Sequence, residues 1–427
     1  MKKQFLITYI VEGITLIIGF YVFKLVFIKF GENGFNEFTI GRRIIGVLQT
    51  ISLLGFGVGL PRFISFTKSN DTQLITSYIY TSYKIILFFC FTLSLILFFF
   101  RNELSYLLFK SYDYQNLILP ILIFNLGLTF HSIVYSTLRG LLKIETFNLL
   151  QFINLAFITI SLVFLVNNIK NYFFSAGILY LLVSYIFFYL VIRKNFKKNN
   201  LTSKKYYNEC KELKKYSIKR VPGDIAYSLV FYLPVLFSTH IYDVNIAAFL
   251  SFSLSYLNLH AAIYSPIGII LLPKLSELLG QKHYKDFKKY VNLLLIFTII
   301  SAIILTIINF TILSNFVISK FFGKDYLKYI MITKIITLSI LPFVFFIIFR
   351  NVFDAYYVSP VNAYNIIISI IIFVTTFTFS KFILKINFNN YYSFAILTLI
   401  LFFSLGILSS IKLINIFKSI KIKKCLN

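Results

Sequence analysis

The chain of 427 residues contains no tryptophan, two methionines and three cysteines, and only 15 of its residues are acidic. The cysteines are Cys90, Cys210 and Cys425, which lie far apart and form no Cys-x-x-Cys pair. This spacing supports neither a disulfide framework nor a thiolate metal site. Charged residues of either sign make up 13% of the chain, against about 25% in soluble domains. The scarcity of charge argues against a soluble protein.

Apolar residues are abundant instead. Hydrophobic residues make up 58% of the chain and aromatic residues 19%, and the mean hydropathy is +0.82. Many apolar runs approach or exceed the roughly 20 residues that cross a bilayer as a helix. The first run follows two lysines, as in a signal peptide, but it is too long and has no small-residue cleavage site. We therefore expect a retained first helix and an all-α polytopic membrane protein.

Apolar segments along the chain predict twelve transmembrane helices in two lobes. The segments lie at roughly 5–29, 38–64, 76–100, 115–138, 146–167, 172–192, 217–239, 245–273, 288–313, 328–349, 361–380 and 391–415. The connection at 193–216 is longer than the others and rich in lysine. We predict an N-terminal six-helix lobe at 1–195, a basic cytoplasmic linker at 196–216 and a C-terminal six-helix lobe at 217–427.

Lysine and arginine are distributed unevenly between the two predicted membrane faces. With the N-terminus in the cytoplasm, about 28 of them flank the cytoplasmic side and about 9 the opposite side. The positive-inside rule then places both termini in the cytoplasm, and we expect the chain in the cytoplasmic (inner) membrane of a bacterium. We attribute the net charge of +27 to topology and to anionic membrane lipids, and not to a nucleic-acid partner.

Two helices in each half end with a cation at matching places. Arg62 and Lys274, each preceded by a proline, end the second and eighth helices at an offset of 212 residues. Arg139 and Arg350 end the fourth and tenth helices at an offset of 211 residues. Two matches at nearly one offset indicate an internal duplication, and an even number of helices per half gives both copies the same orientation. We expect these four cations to be structural and to extend into the head-group layer.

Three stretches of the chain resemble a known family of exporters. Residues 30–65 contain the hairpin "FGENGF" followed by a second helix with a glycine-rich end and an arginine. Residues 138–150, "LRGLLKIETFNLL", form a turn between two helices, and residues 247–284 run through a helix into a proline and an amphipathic stretch. In these features the chain resembles the multidrug/oligosaccharidyl-lipid/polysaccharide exporter superfamily. The likeness is greatest to its polysaccharide-transport branch, the O-antigen and capsule repeat-unit flippases (Wzx type), although Asn36 stands where that branch commonly has a glycine.

This resemblance implies a fold and an activity. The fold would be two pseudo-symmetric six-helix lobes around a central cavity. The activity would be transport of a polyprenyl-pyrophosphate-linked oligosaccharide from the inner to the outer leaflet by alternating access. The implied partners are the lipid-linked oligosaccharide, a polysaccharide polymerase and chain-length machinery, and no cofactor is implied.

Four basic residues within the apolar segments are candidates for substrate binding. A charge at the centre of a membrane helix costs at least about 2.5–3.5 kcal/mol, so it marks a cavity or a partner. Lys24 and Arg42 each lie nine residues from the predicted turn at Asn33, so we expect them at one depth, with Arg43 beside Arg42 and Lys334 contributed by the other lobe. Guanidinium groups match phosphate oxygens. The alternative is that Lys24 and Arg42 extend to the outer interface.

Five further residues are candidates for ion coupling or gating. Glu12 lies in the inner part of the first helix. His131 and His260 lie near the middle of the fourth and eighth helices, where an imidazole could titrate near neutral pH or stay neutral and hydrogen-bonded. Arg220 and Asp224 are four residues apart and could form a structural ion pair or a gate.

Other functions remain open at this stage. The sequence contains no P-loop, no metal-ligand spacing and no soluble domain for a glycosyltransferase site, so we expect no enzyme and no catalytic residues. A membrane-embedded polysaccharide polymerase is the best enzymatic alternative, but we would expect it to have a long extracytoplasmic loop. A cation-coupled multidrug exporter should carry acidic residues in its cavity. A flippase for a lipid-linked peptidoglycan precursor is a further alternative.

Overall fold

The structure, a computed structural model, describes residues 2–67, 71–193, 206–281, 283–357, 359–383 and 392–425. All regular secondary structure in these ranges is helical. The long helices are α1 (2–30), α2 (32–66), α3 (Thr72–Phe99), α4 (Gln115–Gly140), α5 (Ile144–Leu165), α6 (169–193), α7 (Tyr207–Ile241), α8 (Val244–Gly280), α9 (Tyr284–Phe322), α10 (330–356), α11 (361–383) and α12 (Ser393–Cys425). Two short helices, Arg101–Phe109 and Lys324–Tyr329, precede α4 and α10.

These long helices correspond to the twelve predicted segments. In the described ranges ten helices are long and apolar enough to cross a membrane, and the pair Lys324–Thr337 and Ile340–Tyr356, bent by 41°, meets the same criteria when it is taken as one span. One of these ten helices belongs to the run Lys2–Leu53, which has 52 residues. As a straight helix this run would be about 78 Å long, whereas a length of ~30 Å is enough to cross a bilayer. Gly31 divides this run into two spans. The predicted all-α fold of twelve transmembrane helices is confirmed.

Gly31 reverses the chain between α1 and α2. Its φ of 68° and ψ of −167° lie outside the helical region, in a conformation that glycine adopts readily because it has no Cβ. The rings of Phe27 and Phe35 are 5.7 Å apart, and those of Phe23 and Phe38 are 5.4 Å apart. Each pair lies nearly symmetrically about Gly31 in sequence. The two helices therefore pack against each other as an antiparallel hairpin.

The glycine-rich end of α2 allows α7 to approach closely. Leu54 and Gly55 have positive φ and interrupt α2. A Cβ added at Gly55 would lie 2.1 Å from the carbonyl oxygen of Ser217, and one added at Gly59 would lie 2.2 Å from the Oγ of Ser217. The Gly-x-x-x-Gly spacing thus permits close contact between two helices, as small residues commonly do in membranes.

α7 begins ten residues earlier than the sequence predicts. It starts at Tyr207, so the last part of the predicted linker is helical. Cys210, Leu213 and Ser217 are buried, and the hydroxyl of Thr81 lies 3.6 Å from the sulfur of Cys210. Their spacing of three and four residues puts them on one face of a helix whose other faces carry lysines. A scan for long apolar runs misses such an amphipathic start.

The same pairs of helices pack in each half of the chain. The chain forms two compact units, Met1–Ser228 and Leu229–Asn427, whose boundary lies within α7. In the first unit α4 packs most extensively against α6 and also against α2, and in the second unit α10 packs most extensively against α8 and α12. This correspondence is what an internal duplication would produce. The predicted lobe boundaries stay a prediction, and residues 196–205 of the predicted linker lie outside the described residues.

Candidate functional site

One face of α2 is polar and open. We call it the polar face of α2, and it consists of Arg42, Arg43, Gly46, Gln49 and Thr50. A Cβ added at Gly46 would meet no atom within 4 Å, whereas one added at Gly41 would lie 2.7 Å from the ring of Phe173. The Gly41 side of α2 is therefore packed, and the Gly46 side is not. Because charged side chains are costly against lipid, we expect the polar face of α2 to border an aqueous space.

Arg42 is exposed and held against α1. Its Nη1 donates a hydrogen bond of 3.3 Å to the carbonyl oxygen of Gly19. The guanidinium carbon lies 5.3 Å from the ring centre of Phe23 and 5.5 Å from that of Phe38, which is the range of cation–π attraction. A guanidinium has five N–H donors. Arg42 is thus positioned by the protein and has further donors for an anionic ligand.

The structure places Lys24 and Arg42 at different depths of the first hairpin. Arg42 lies opposite Gly19, so it is deeper than Lys24 by about five residues, or ~7 Å of helix. The prediction of equal depth is wrong because the hairpin reverses at Gly31 and not at Asn33. The ammonium group of Lys24 lies 5.7 Å from the ring of Tyr21 on its own helix. Arg42 and the partly buried Arg43 are the two of the four that share a face.

Lys334 lies in the second unit, near the start of α10. Its Nζ is 5.6 Å from the ring centre of Phe310 on α9, which is within the range of a cation–π contact. The described contacts of Lys334 lie within its own unit, and its predicted role in substrate binding stays a prediction.

Gln49 and Thr50, the two polar residues that follow the arginines on α2, are hydrogen-bonded to neighbouring helices. The Nε2 of Gln49 donates to the Oγ of Ser132 on α4 over 2.6 Å. The hydroxyls of Thr50 and Ser228 on α7 are 2.7 Å apart. Sequence reasoning overlooked Gln49 and Thr50 because they carry no charge. The signal that could have found them is their spacing of seven residues from Arg42 and Arg43 in an otherwise apolar run.

His131 is buried in a hydrogen-bonded network of the first unit. Its Nδ1 is 2.9 Å from the Nδ2 of Asn154 on α5, and the same Nδ2 lies 3.0 Å from the Oγ of Ser184 on α6. An amide nitrogen donates, so Nδ1 of His131 accepts and the ring is neutral in this arrangement. Asn154 belongs to a π-helical stretch, Phe152–Ile158. These contacts favour a structural role for His131.

His260 has a different arrangement in the second unit. Its Nδ1 is 2.8 Å from the carbonyl oxygen of Tyr256, and its Nε2 is 3.0 Å from the Oδ1 of Asn309 on α9. The hydroxyl of Tyr256 also donates to this Oδ1, and the Nδ2 of Asn309 donates to the carbonyl oxygen of Leu305, which fixes the amide orientation. Both ring nitrogens of His260 therefore face oxygen acceptors. A doubly protonated imidazole could donate to both oxygens, whereas a neutral imidazole could donate to only one of them.

Glu12 on α1 lies in the electrostatic field of Arg139, one of the four cations that we expect to be structural. The charge of Arg139, at the end of α4, acts on the carboxylate of Glu12 on α1. Tyr135, one turn before Arg139, is hydrogen-bonded to the Arg139 side chain. The nearby positive charge of Arg139 partly stabilises the Glu12 carboxylate, and the role of Glu12 in ion coupling stays a prediction.

Arg62 has a protein partner in addition to its predicted place at a helix end. Its Nη1 donates to the hydroxyl of Tyr216 over 2.7 Å, and its guanidinium carbon lies 4.7 Å from the ring centre. The guanidinium of Arg220 lies 6.0 Å from the same ring. The carbonyl oxygen of Asp224 accepts a bond of 3.3 Å from Ser228. Arg62 thus joins α2 to α7, and the ion pair between Arg220 and Asp224 stays a prediction.

The two corresponding cations of the second unit lie near the ends of their helices. Lys274 is exposed near the end of α8. The carbonyl oxygen of Arg350 accepts a bond of 2.9 Å from the Nδ2 of Asn362, which also donates to Asp354 over 2.7 Å. These contacts tie the end of α10 to the start of α11.

Comparison with known proteins assigns the chain to a family. The sequence profile of the family described as "Polysaccharide biosynthesis protein" matches residues 1–279. Comparison with curated protein sequences gave no match. Among solved structures, the chain is similar to a multidrug resistance MATE family transporter of the MOP superfamily in an inward-facing conformation, with a TM-score of 0.77, 9% identity and coverage of 98% of this chain and 99% of that chain.

Two other structures show the same likeness. The lipid II flippase MurJ in an inward closed conformation has a TM-score of 0.69 and 17% identity, with coverage of 99% of this chain and 91% of that chain. The eukaryotic MATE transporter AtDTX14 has a TM-score of 0.62 and 13% identity, with coverage of 97% and 95%. At these identities the likeness establishes the fold alone. The chain therefore belongs to the polysaccharide biosynthesis protein family and has the fold of these membrane transporters.

Proposed function

We propose that the chain is a flippase for polyprenyl-pyrophosphate-linked oligosaccharide repeat units, which it moves across the bacterial cytoplasmic membrane by alternating access for O-antigen or capsule synthesis. Membership of the polysaccharide biosynthesis family and the fold shared with the lipid II flippase MurJ support this proposal. The observation that carries it is the polar face of α2, which contains the exposed Arg42 and the partly buried Arg43 and no carboxylate.

The charge of this face suits a pyrophosphate group. A pyrophosphate that leaves the head-group layer loses hydration, and its charge then requires compensation. Charge-assisted hydrogen bonds each contribute about 1.5–3 kcal/mol, and a guanidinium can make two at once to phosphate oxygens. Arg42 is exposed and already oriented by Gly19, so little side-chain freedom is lost on binding. Gln49 and Thr50, about two turns further along α2, offer polar groups for sugar hydroxyls.

The sign of the charge distinguishes this proposal from a multidrug exporter. An exporter of organic cations needs carboxylates in its binding region. Glu12, the acidic residue in the inner part of α1, interacts with Arg139. The polar face of α2 would repel an organic cation and attract an anionic lipid.

We further propose that both termini and the 196–216 segment are cytoplasmic, because the cytoplasmic connections carry most of the lysine and arginine. In this orientation the substrate enters from the leaflet in which lipid-linked sugars are assembled. The product then reaches the outer leaflet, where a polymerase and chain-length machinery would be the partners that consume it.

Deleting the gene should remove surface polysaccharide completely and cause lipid-linked repeat units to accumulate in the cell. Immunoblotting of surface glycan, together with mass spectrometry of extracted lipid-linked sugars, measures both effects, and a plasmid copy should reverse them. Loss of a polymerase would instead leave single repeat units on the surface. Unchanged surface glycan with increased sensitivity to cationic drugs would contradict the proposal and support a multidrug exporter.

A further inference from the structure

A basic cleft lies at the first turns of α9 in the second unit. It has a volume of about 570 Å³. Its polar part is lined by Lys285, Lys288 and Lys289, all of which are exposed, and by Asn292. These side chains lie at spacings of three and four residues, so they occupy one face of the helix. The cleft belongs to neither the polar face of α2 nor the histidine networks.

Among the residues that the structure describes, the three lysines have no acidic partner. Within the described part of the chain none of them forms an ion pair, and the nearby carboxylate of Asp286 lies 3.8 Å from the Nδ1 of His283. Like charges three and four residues apart destabilise a helix. The start of α9 adds the positive end of the helix dipole, and no side chain caps it. An anion in the cleft would relieve this repulsion.

The other end of the cleft is apolar. Leu293 and Ile296 line it and are each 57% exposed, and Ile420 of α12 contributes a buried side chain. The opposite face of α9 is packed, since Phe287 and Val291 are fully buried. From Lys288 to Ile296 the helix rises about 12 Å. The cleft therefore passes along α9 from a cationic end to an apolar end, and we expect the cationic end to lie at the membrane surface and the apolar end in the hydrocarbon region.

We propose that this cleft binds one anionic phospholipid, with its phosphate on the three lysines and the upper part of an acyl chain along Leu293 and Ile296. A free phosphate ion would use only the polar part of the cleft. A phospholipid has an anionic head group followed by acyl chains, so it matches first the cationic part and then the apolar part of the cleft. In the proposed topology the lipid comes from the cytoplasmic leaflet, and its binding is independent of the transported substrate.

Native mass spectrometry of the full-length protein purified in detergent tests this site with phosphatidylglycerol and phosphatidylcholine. The wild type should retain phosphatidylglycerol at least tenfold better than phosphatidylcholine. The variant with Lys285→Gln, Lys288→Gln and Lys289→Gln should lose this preference. The matched control carries Lys211→Gln, Lys215→Gln and Lys219→Gln, which remove the same charge from exposed positions in the first part of α7, and it should keep the preference for phosphatidylglycerol.

The apolar part of the site is tested separately. Leu293→Ser with Ile296→Ser should also weaken retention of phosphatidylglycerol, which a free-phosphate site would not do. Equal loss in the α7 control, or full retention in the triple α9 variant, would overturn the proposal. Displacement of phosphatidylglycerol by equimolar polyprenyl phosphate would overturn it too, because the cleft would then be a substrate site. If millimolar inorganic phosphate alone displaced phosphatidylglycerol, the cleft would be a site for phosphate and not for a phospholipid, and the proposal would be overturned.

Discussion

Replacing both Arg42 and Arg43 with alanine is expected to reduce repeat-unit export at least about a hundredfold while the protein remains at its normal level in the membrane. The physical reason is the loss of two or more charge-assisted hydrogen bonds of roughly 1.5–3 kcal/mol each, and every 1.4 kcal/mol corresponds to about a factor of ten. Surface polysaccharide in a deletion strain that carries the variant gene measures the effect.

Two further variants make this result specific. Arg101→Ala with Lys110→Ala removes the same charge from exposed positions near the short helix Arg101–Phe109 and should leave export unchanged. Lysine at positions 42 and 43 should restore export only partly, because an ammonium group lacks the planar fork of a guanidinium. Normal surface polysaccharide in the double alanine variant would mean that the arginines are interface anchors.

Replacing Asn309 with leucine is expected to lower the melting temperature of the purified protein by about 5–10 °C. The change removes the acceptor of both His260 and Tyr256 and leaves two buried polar groups unpaired at about 1–3 kcal/mol each. For a unit of this size 1 kcal/mol corresponds to roughly 2–4 °C. Thermal unfolding followed by size-exclusion chromatography measures the shift.

Asn315 provides the matched control for this experiment. It lies on the same helix and donates to the carbonyl oxygen of Thr311, as Asn309 does to that of Leu305, but it is exposed. Asn315→Leu should change the melting temperature little. Asn309→Asp keeps an oxygen toward His260 and should recover much of the stability. If aspartate were no better than leucine, Asn309 would donate to His260, and the assignment of two acceptors to His260 would be wrong.

The helices could be predicted from the sequence because each long apolar run must form a helix to satisfy its backbone in lipid. The turn of the first hairpin could not be placed correctly, since Gly31, Asn33 and Gly34 are all plausible turn residues and only the packing of Phe23 on Phe38 selects Gly31. The start of α7 was missed for another reason. Its buried face consists of Cys210, Leu213 and Ser217, which is too sparse for an average over a long window to detect.

Only the charged residues of the candidate site could be predicted from the sequence. Arg42 and Arg43 stand out because charge is rare in apolar segments. The residues that hydrogen-bond to Arg42, Gln49 and Thr50 are far away in sequence, so the sequence alone does not indicate them. Asn154 and Asn309 meet the two histidines where α5 and α9 have π-helical stretches. No local pattern indicates such a stretch, because it depends on how neighbouring helices pack.

The most direct test of the proposed flippase is transport by the purified protein in liposomes. The substrate is a fluorescent polyprenyl-pyrophosphate-linked oligosaccharide placed in one leaflet, and an impermeant glycosidase added outside reports its arrival in the other. We predict movement at least a hundredfold faster than in protein-free vesicles, and no acceleration by the variant with alanine at positions 42 and 43. The account would be contradicted if the lipid-linked oligosaccharide moved no faster than in protein-free vesicles while the same protein-containing vesicles accumulated an organic cation, driven by an ion gradient.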